Sequence, residues 1–227
     1  MAATGFAPSS RNRLTRHDLG RFAGDGLFDR VGRVVCGVEC LPRKELFEAW
    51  EVARRVRRRF RGGRVLDVAG GHGLLAYLLL LLDDSSSEAL VIDPMTPSSA
   101  PVLSAALEAE WPRLLGRVTH HNVELAGEMV APGDLLVACH ACGALTDRVL
   151  DAAMTASARV AVLPCCHDEE TCDAGPLRGW LDLPTAVDVM RAQRLAAAGA
   201  QVWTQTIPET ITPKRRLLLA DCRHLTT

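Results

Sequence analysis

A short apolar segment that runs directly into a group of glycines constrains the fold of this chain most. Residues 65–68 are apolar apart from Asp67 and include two β-branched valines, the composition of a buried parallel strand. Residues 74–82 are strongly apolar and predict a helix whose first backbone amides point back at the intervening turn. Small residues fill that turn, where they let the chain bend and let a ligand approach the backbone: Ala69, Gly70, Gly71 and Gly73.

A second apolar segment, residues 89–93, ends in an acid, Asp93, which follows Asp67 by 26 residues. In a βαβ unit, an acid at this place reaches the ribose hydroxyls of a bound nucleoside. The turn lacks the third glycine of a G-x-G-x-x-G dinucleotide motif and the lysine of a phosphate-binding GxxxxGK[ST] loop. The two acids therefore predict a nucleoside ligand that is neither a dinucleotide nor a nucleoside triphosphate.

Strand and helix patterns alternate along the rest of the chain, which predicts an α/β fold with a mostly parallel, seven-stranded sheet. The connection between the last two strands is short and permits only an antiparallel hairpin. Besides the two strands above, we predict strands at residues 116–121, 134–139, 159–163, 201–207 and 215–220. We predict the other helices at residues 42–60, 145–156 and 184–198, and one that follows the loop 94–101 and ends near residue 111.

The chain has 227 residues, enough for one domain with a full core. We assign residues 42–227 to that domain and residues 1–41, which contain five glycines between positions 20 and 37, to an irregular N-terminal arm or cap. The first 30 residues lack the apolar block of a secretory signal, and residues 74–82 are too few to span a bilayer. We therefore expect a cytoplasmic protein without membrane association, whose eight cysteines are reduced.

The net charge of −1 hides an uneven distribution of charged residues. Residues 1–64 carry 15 Lys/Arg against 7 Asp/Glu, whereas the remainder carries 11 against 20. The densest basic segment contains seven arginines between Arg54 and Arg64. One interpretation is a footprint for a polyanion such as nucleic acid. The other is the solvated face of the helix at residues 42–60, whose apolar side chains form a buried stripe.

Cysteine and histidine side chains follow two predicted strands, in the segments Cys139-His-Ala-Cys142 and Pro164-Cys-Cys-His167. Ligands of open α/β sheets lie beyond the carboxyl ends of the strands, and these two strands should be neighbours. We therefore expect these thiols and imidazoles to converge near the nucleoside ligand: His140, Cys142, Cys165, Cys166 and His167.

Three interpretations of this convergence remain open. His140 or His167 can act as a general base that removes a proton from a hydroxyl, amine or thiol. The thiols and imidazoles can bind zinc, which prefers these ligands. Alternatively, the residues are ordinary core cysteines and hydrogen-bonded histidines. Adjacent Cys165 and Cys166 on an extended chain should point in opposite directions, so we assign no metal ligands.

Two further polar residues are placed at the ligand edge by the predicted topology. Asn122 follows the third strand, where it can hydrogen-bond a nucleobase. Lys214 precedes the last strand, whose antiparallel direction puts its start at the ligand edge. Lys214 is one of only two lysines among 26 basic residues and can either assist deprotonation of a hydroxyl or be an ordinary surface lysine.

The pattern D-x-A-x-G-x-G at residues 67–73 resembles the cofactor loop of class I S-adenosylmethionine-dependent methyltransferases, which have a Rossmann-like fold. The resemblance implies that Asp67 organises the loop and the methionine amino group, and that Asp93 holds the ribose. With S-adenosyl-L-methionine as the expected cofactor, the candidate cofactor-binding residues are Asp67, Ala69, Gly70, Gly71, Gly73, Asp93, Asn122 and Cys139.

The segments 139–147 (CHACGALTD) and 164–167 (PCCH) resemble one methyltransferase branch over about residues 43–220. This branch contains the catalytic domain of the eukaryotic acceptor-stem tRNA 2′-O-methyltransferase and related methyltransferase-like proteins. It implies methylation of an RNA ribose hydroxyl, although the cysteine-rich N-terminal zinc module of the tRNA enzyme is missing here. The candidate catalytic residues are His140, Cys166, His167 and Lys214.

Other functions remain open at this stage. The end of the fourth strand lacks the Asn/Asp-Pro-Pro-Tyr/Phe motif, which disfavours methylation of an exocyclic base amine. The chain can also be a small-molecule O-, N- or S-methyltransferase with residues 1–41 as a lid, or a non-catalytic cofactor-binding interaction domain.

Overall fold

The computed structural model describes residues 6–224, and within them seven strands form one sheet in the order β3-β2-β1-β4-β5-β7-β6. Neighbouring strands from β3 to β5 are parallel, and β7 is antiparallel to both β5 and β6. The expected mostly parallel sheet with an antiparallel C-terminal hairpin is confirmed. The strands are β1 (Val65–Val68), β2 (Ala89–Ile92), β3 (Val118–His121), β4 (Leu135–Ala138), β5 (Arg159–Val162), β6 (Gln201–Thr206) and β7 (Arg216–Asp221).

Alternate residues of each strand point to opposite faces of this sheet, so apolar side chains stand on both faces. Helices cover both faces. Val65 packs with α1 to α4 on one face, whereas Leu66 packs with α5 and α6 on the other. The helices are α1 (Leu27–Val38), α2 (Arg43–Arg59), α3 (Leu74–Leu82), α4 (Ala100–Glu110), α5 (Ala144–Thr155) and α6 (Leu183–Ala197). None of the helices within residues 6–224 is long and apolar enough to cross a membrane.

The expectation that residues 1–41 are irregular is wrong for the part of this segment that the structure describes. Leu27–Val38 form helix α1, whose Val31 and Val35 are fully buried against the main core. Gly32 lies within this helix, and the absence of a side chain there makes room for the ring of Phe22. A Cβ at position 32 would lie 2.2 Å from a carbon of that ring.

The order of the strands fixes where a ligand can bind. β1 lies between β2 and β4, and the chain leaves β1 towards β2 and β3 but later returns to β4 on its other side. The carboxyl ends of β1 and β4 therefore flank the crevice in which doubly wound sheets bind their ligands. Asp67 in β1 and Cys139, just after β4, lie at this crevice.

Candidate functional site

The turn after β1 is shaped around the side chain of Asp67. This carboxylate is 1% exposed and accepts the backbone amide of Ala76, in the first turn of α3, at 3.1 Å. Ala69 has a left-handed backbone (φ 54°), which starts the reversal, and the amide of Gly73 donates to the carbonyl of Gly70 at 2.8 Å. A Cβ on Gly70 would lie 2.7 Å from the Asp67 carboxyl carbon, so the turn requires glycine at that position.

Burial raises the pKa of the Asp67 carboxyl to about 7. The Ala76 amide lowers this pKa, and the nearby charge of Asp93 raises it further. Among residues 6–224, no basic side chain forms an ion pair with Asp67. The bottom of the crevice thus holds a buried acid without a compensating cation, which favours a positively charged ligand.

Asp93 lies directly after β2 and contacts the same turn. Its Oδ2 accepts the amide of Gly71 at 3.0 Å, and its Oδ1 accepts the amide of Met95 at 2.9 Å. These two bonds fix the carboxylate beside the turn, where the resemblance predicts an acid that holds the ribose.

A cavity of about 390 Å³ opens over the turn, within the ~300–1,000 Å³ range of small-molecule sites. Residues near the N-terminus form one of its walls, because the amide of Leu14 donates to Leu41 and that of Arg43 donates to Asn12. This wall agrees with a cap formed by residues 1–41, which stays a prediction. The lining residues are Arg13, Cys40, Leu41, Pro42, Glu45, Ala49, Asp67, Ala69, Gly70, Gly71, His72, Leu74, Leu75, Pro97, Cys139 and His140.

Cys139 contributes a neutral wall to this cavity. Burial raises the pKa of its thiol well above the ordinary value, and the negative charges of Asp67 and Glu48 raise it further. Glu48 is itself buried and forms an ion pair with Lys44 at 2.7 Å. Lys44 is therefore already paired with an acid beneath the cavity.

The side of the turn that faces β3 contains polar groups that the sequence did not assign to the site. His72 lines the cavity, and its Nε2 lies 2.8 Å from the Ser99 hydroxyl. His120 Nε2 is buried without a hydrogen-bond partner, 3.1 Å from where a Cβ on Gly73 would lie. The predicted strand at residues 116–121 placed His120 near the ligand edge, but its contact with Gly73 depends on packing between distant segments.

Asn122 and Lys214 lie outside the cavity lining. Asn122 is exposed, and its Oδ1 accepts the hydroxyl hydrogen of Thr96. Lys214 is exposed in the turn before β7, with its backbone amide donating to the Thr212 hydroxyl at 3.2 Å. Both stand at the ligand edge as the topology predicts, but the structure does not bring either to the glycine turn.

His140 is the candidate base that does line the cavity. It is exposed in the connection after β4, and a charge on its ring acts on Glu45, which also lines the cavity. Burial raises the pKa of the Glu45 carboxyl, and a positive charge on His140 opposes that effect. The imidazole is thus a lining group of the cavity that solvent can reach.

The structure does not place the side chain of His167, which was expected to face the ligand, in the lining of the cavity. Its side chain is 1% exposed, and its Nε2 lies 2.7 Å from Asp188 Oδ1 on α6. Asp188 also accepts a hydrogen bond from Arg216 of β7 at 2.7 Å. Burial against α6 therefore gives His167 an anchoring contact, and it does not line the cavity.

The expectation that Cys165 and Cys166 point in opposite directions is wrong. β5 ends at Val162, so both residues lie in the loop that follows rather than on an extended strand. Their sulfur atoms are 3.7 Å apart, and the sulfur of Cys142 is 2.9 Å from that of Cys165. The structure brings the three thiols together at the carboxyl ends of β4 and β5.

The basic segment proves to be neither a free footprint nor a simply solvated face. Arg57 is buried, with an ion pair to Asp83 at 3.2 Å, and burial lowers its pKa to about 10. Arg64 pairs with Asp134 at 2.7 Å. The segment ends at the amino edge of β1. Along α2, Arg57 lies about 18 Å from Glu45, which is in the cavity wall. Further contacts are Arg54 and Arg55 with Glu51, Arg61 with Asp83 and Arg59 over Trp203, whereas Arg58 is exposed.

A doubly wound sheet in this strand order, with a glycine turn after β1 and acids in β1 and after β2, defines a Rossmann-like methyltransferase domain. The chain belongs to a protein family described as a methyltransferase domain, which matches residues 49–172, more than half of its length. The expectation of a methyltransferase domain is confirmed by this family match.

Solved structures with related folds come from several kinds of protein. The pyocyanin biosynthetic protein PhzM is 18% identical, with a TM-score of 0.49 over 90% of this chain and 60% of that chain. TrmK of M. capricolum, bound to S-adenosyl-homocysteine, is 9% identical, with a TM-score of 0.44 over 74% and 65%. The ribosomal protein L11 methylase of Lactobacillus delbrueckii subsp. bulgaricus is 16% identical, with a TM-score of 0.46 over 78% of each chain.

The chain thus spans about 60% of the length of PhzM. No curated protein matches its sequence.

Proposed function

We propose that this chain transfers a methyl group from S-adenosylmethionine to a nucleophile held at the carboxyl ends of β4 and β5. The observation that carries this proposal is the buried Asp67 carboxyl beneath a glycine turn, without a cation among the described residues. S-adenosylmethionine has a cationic amino group and a sulfonium, and when bound it supplies an electrophilic methyl group.

The described residues fit this donor. The backbone from Gly70 to Gly73 has no side chains where an adenosyl group would approach, apart from His72. Asp67 offers a carboxylate for the amino group, and Asp93 offers one for the ribose hydroxyls. The unpartnered Nε2 of His120 provides a further polar group beside the turn. These groups are held by backbone hydrogen bonds, so little ordering is needed on binding.

His140 is the side chain that we propose as the proton acceptor for the incoming nucleophile. It lines the mouth of the cavity and is exposed, so an acceptor molecule can reach it. An imidazole in this place can take a proton from a hydroxyl, amine or thiol as the methyl group is transferred. Positioning of the nucleophile supplies much of the rate in such a reaction.

A small-molecule acceptor is the first candidate. The arginines that suggested a polyanion partner are mostly engaged in intramolecular contacts, and they lie towards the amino edge of the sheet. Among the residues that line the cavity, the basic Arg13 is accompanied by the acids Glu45 and Asp67. A partly enclosed cavity with mixed charges favours a small acceptor over a long polyanion.

An RNA ribose hydroxyl is the second candidate. The resemblance of residues 139–147 and 164–167 to the tRNA 2′-O-methyltransferase branch supports it. Trp180 supports it as well, because its side chain is 87% exposed in the connection between β5 and α6, at the ligand edge. An exposed indole can stack on an unpaired base.

Incubation with methyl-tritiated S-adenosylmethionine and a fractionated lysate tests the proposal. The fractions are a low-mass filtrate, purified RNA, and macromolecules treated with nuclease. We expect a labelled product, chromatographically distinct from the donor, with the low-mass filtrate, and label in RNA that nuclease removes would favour the second candidate. Donor binding without label in any fraction would overturn catalysis and leave a cofactor-binding interaction domain. Asp93→Ala is the control for enzyme-dependent transfer.

A further inference from the structure

Three cysteine thiols form a compact group beside the cavity over the glycine turn, which is the proposed donor cavity. We call this group the thiol cluster: Cys142, Cys165 and Cys166. Their sulfur atoms all lie within 4.8 Å of one another. Cys142 comes from the connection between β4 and α5, whereas the other two come from the loop after β5. The proposed methyl transfer uses none of the three thiols.

Core packing does not explain the thiol cluster. Buried cysteine is a common small apolar residue, but Cys142 and Cys166 are exposed and Cys165 is only half-buried. Elsewhere in the described chain, the other cysteines are buried and fit that ordinary role. The exposed thiols are therefore placed by something other than the hydrophobic core.

The spacing of the sulfur atoms suits one tetrahedral metal ion. With a Zn–S distance of about 2.3 Å, thiolate sulfurs on a tetrahedral zinc lie about 3.8 Å apart. The sulfurs of Cys165 and Cys166 are 3.7 Å apart, and those of Cys142 and Cys165 are 2.9 Å apart. Small side-chain rotations would open the shorter distance.

The backbone around the thiol cluster is held in place before any ion binds. The amide of Gly143 donates to the carbonyl of Cys166 at 3.1 Å, which joins the two loops. The buried guanidinium of Arg191 donates to the Gly143 carbonyl at 3.0 Å and pairs with Asp147 at 2.6 Å. The contact of His167 with Asp188 anchors the second loop to α6. The two ligand-bearing loops are therefore fixed to each other and to α6.

We infer that Cys142, Cys165 and Cys166 bind one zinc ion through three thiolates. Among residues 6–224, no histidine or carboxylate joins this group within the same 4.8 Å, so the fourth coordination position is open to solvent or to a small ligand. The ion would tie the β4–α5 connection to the loop after β5, at the mouth of the donor cavity. This site replaces the earlier assignment of no metal ligands.

Zinc titration of the reduced, metal-stripped and tag-free protein, against a chromophoric chelator, tests the inference. We expect one equivalent of zinc, and cobalt in its place should give thiolate-to-metal charge-transfer absorption. Cys165→Ser and Cys166→Ser should each weaken zinc binding by more than about 100-fold, because loss of a direct ligand costs more than loss of an outer-shell contact. Cys166 is exposed, so its serine variant should fold even if the Cys165 variant does not.

Cys222→Ser is the matched control. Cys222 is buried just after β7, at the amino edge of the sheet, and its variant should keep the full equivalent of zinc. Less than half an equivalent in the unaltered protein, or equal binding by the Cys166→Ser variant, would overturn the inference. Titration with S-adenosylmethionine is run separately on each variant, so that failure of the metal site is distinguishable from failure of the donor site.

Discussion

The carboxylate of Asp93 accepts the backbone amide of Gly71 at 3.0 Å, so the residue after β2 holds the turn that follows β1. Asp67 holds the other side of this turn through the amide of Ala76, at the start of α3. The two acids thus fix the glycine turn between neighbouring strands, and they leave it lined by backbone rather than by side chains. A rigid cradle of this kind is what the proposed donor site requires.

Asp93→Ala should lower the affinity for S-adenosylmethionine by about 10- to 100-fold. The change removes both the proposed ribose contact and the acceptor for the Gly71 amide, and a charge-assisted hydrogen bond contributes roughly 1.5–3 kcal/mol. Isothermal titration measures the affinity, with the exposed Glu128→Ala as control. An unchanged dissociation constant for Asp93→Ala would contradict the assignment of this acid.

Gly70→Ala should abolish most of the donor binding. The added Cβ would lie 2.7 Å from the Asp67 carboxyl carbon and 2.9 Å from a methyl of Val91, so the turn must deform. Gly127→Ala is the matched control, because a Cβ there meets nothing within 4 Å. Equal donor affinity of the two variants, measured on folded protein, would show that the turn does not hold the donor.

His140→Ala should lower kcat by about 10²- to 10⁴-fold, the usual contribution of a positioned general base. Donor affinity should stay nearly unchanged, because His140 lies at the mouth of the cavity rather than beneath the turn. Single-turnover methyl transfer and equilibrium donor binding are measured on the same preparation. A full rate in the variant would exclude His140 as the proton acceptor.

Donor binding should strengthen as the pH rises through about 7. The pKa of Asp67 in the folded protein without donor is raised to about 7 by burial, and only the ionised carboxylate attracts the cationic donor. Binding should therefore release a proton, and titrations from about pH 5.5 to about 7.5 in buffers of different ionisation enthalpy detect this release. Asp67→Asn should bind weakly at every pH, and a sloping profile in this variant would assign the pH dependence to another group.

The same carboxyl should make the protein without donor less stable at higher pH. Because the pKa of Asp67 is higher in the folded state than the ordinary value of 3.8, its contribution to the free energy of unfolding is fully present below that value. The contribution is lost as the pH rises through about 7 and amounts to at most about 4 kcal/mol. Urea unfolding at several pH values measures it, and Asp67→Asn should flatten the profile.

His167→Ala should destabilise the protein by about 1–3 kcal/mol, since it removes a buried hydrogen bond to Asp188. The affinity for S-adenosylmethionine should not change, because His167 does not line the donor cavity. A normal free energy of unfolding together with impaired donor binding would instead place this imidazole at the donor site.

The sheet and the glycine turn after β1 were predictable from the sequence, because both depend on local patterns. Val65 and Leu66 are buried on opposite faces of β1, so this parallel strand is apolar almost throughout. The turn after β1 needs small residues at fixed places, and Gly70 marks one of them. Ligands of open α/β sheets bind beyond the carboxyl ends of the strands. Because Asp93 and Cys139 each lie at the end of a predicted strand, this rule placed them near the site.

The remaining features depend on contacts between distant segments, which the sequence pattern does not contain. Gly32 suggested an irregular arm, yet it lies within α1, where the absence of a side chain makes room for the ring of Phe22. His167 was assigned to the ligand edge, but its partner Asp188 lies 21 residues away on α6. The basic segment left a polyanion surface and a solvated helix face open, because the sequence pattern does not contain ion pairs such as that of Arg64 with Asp134, 70 residues away.

A crystal structure of the chain soaked with S-adenosyl-homocysteine, the demethylated product, tests the central claim most directly. The account predicts that the adenosyl group lies against the backbone of Gly70 to Gly73, with the ribose at Asp93 and the amino group at Asp67. Density for the ligand at another place, or an empty cavity at saturating ligand, would contradict the assignment of this turn as the methyl-donor site.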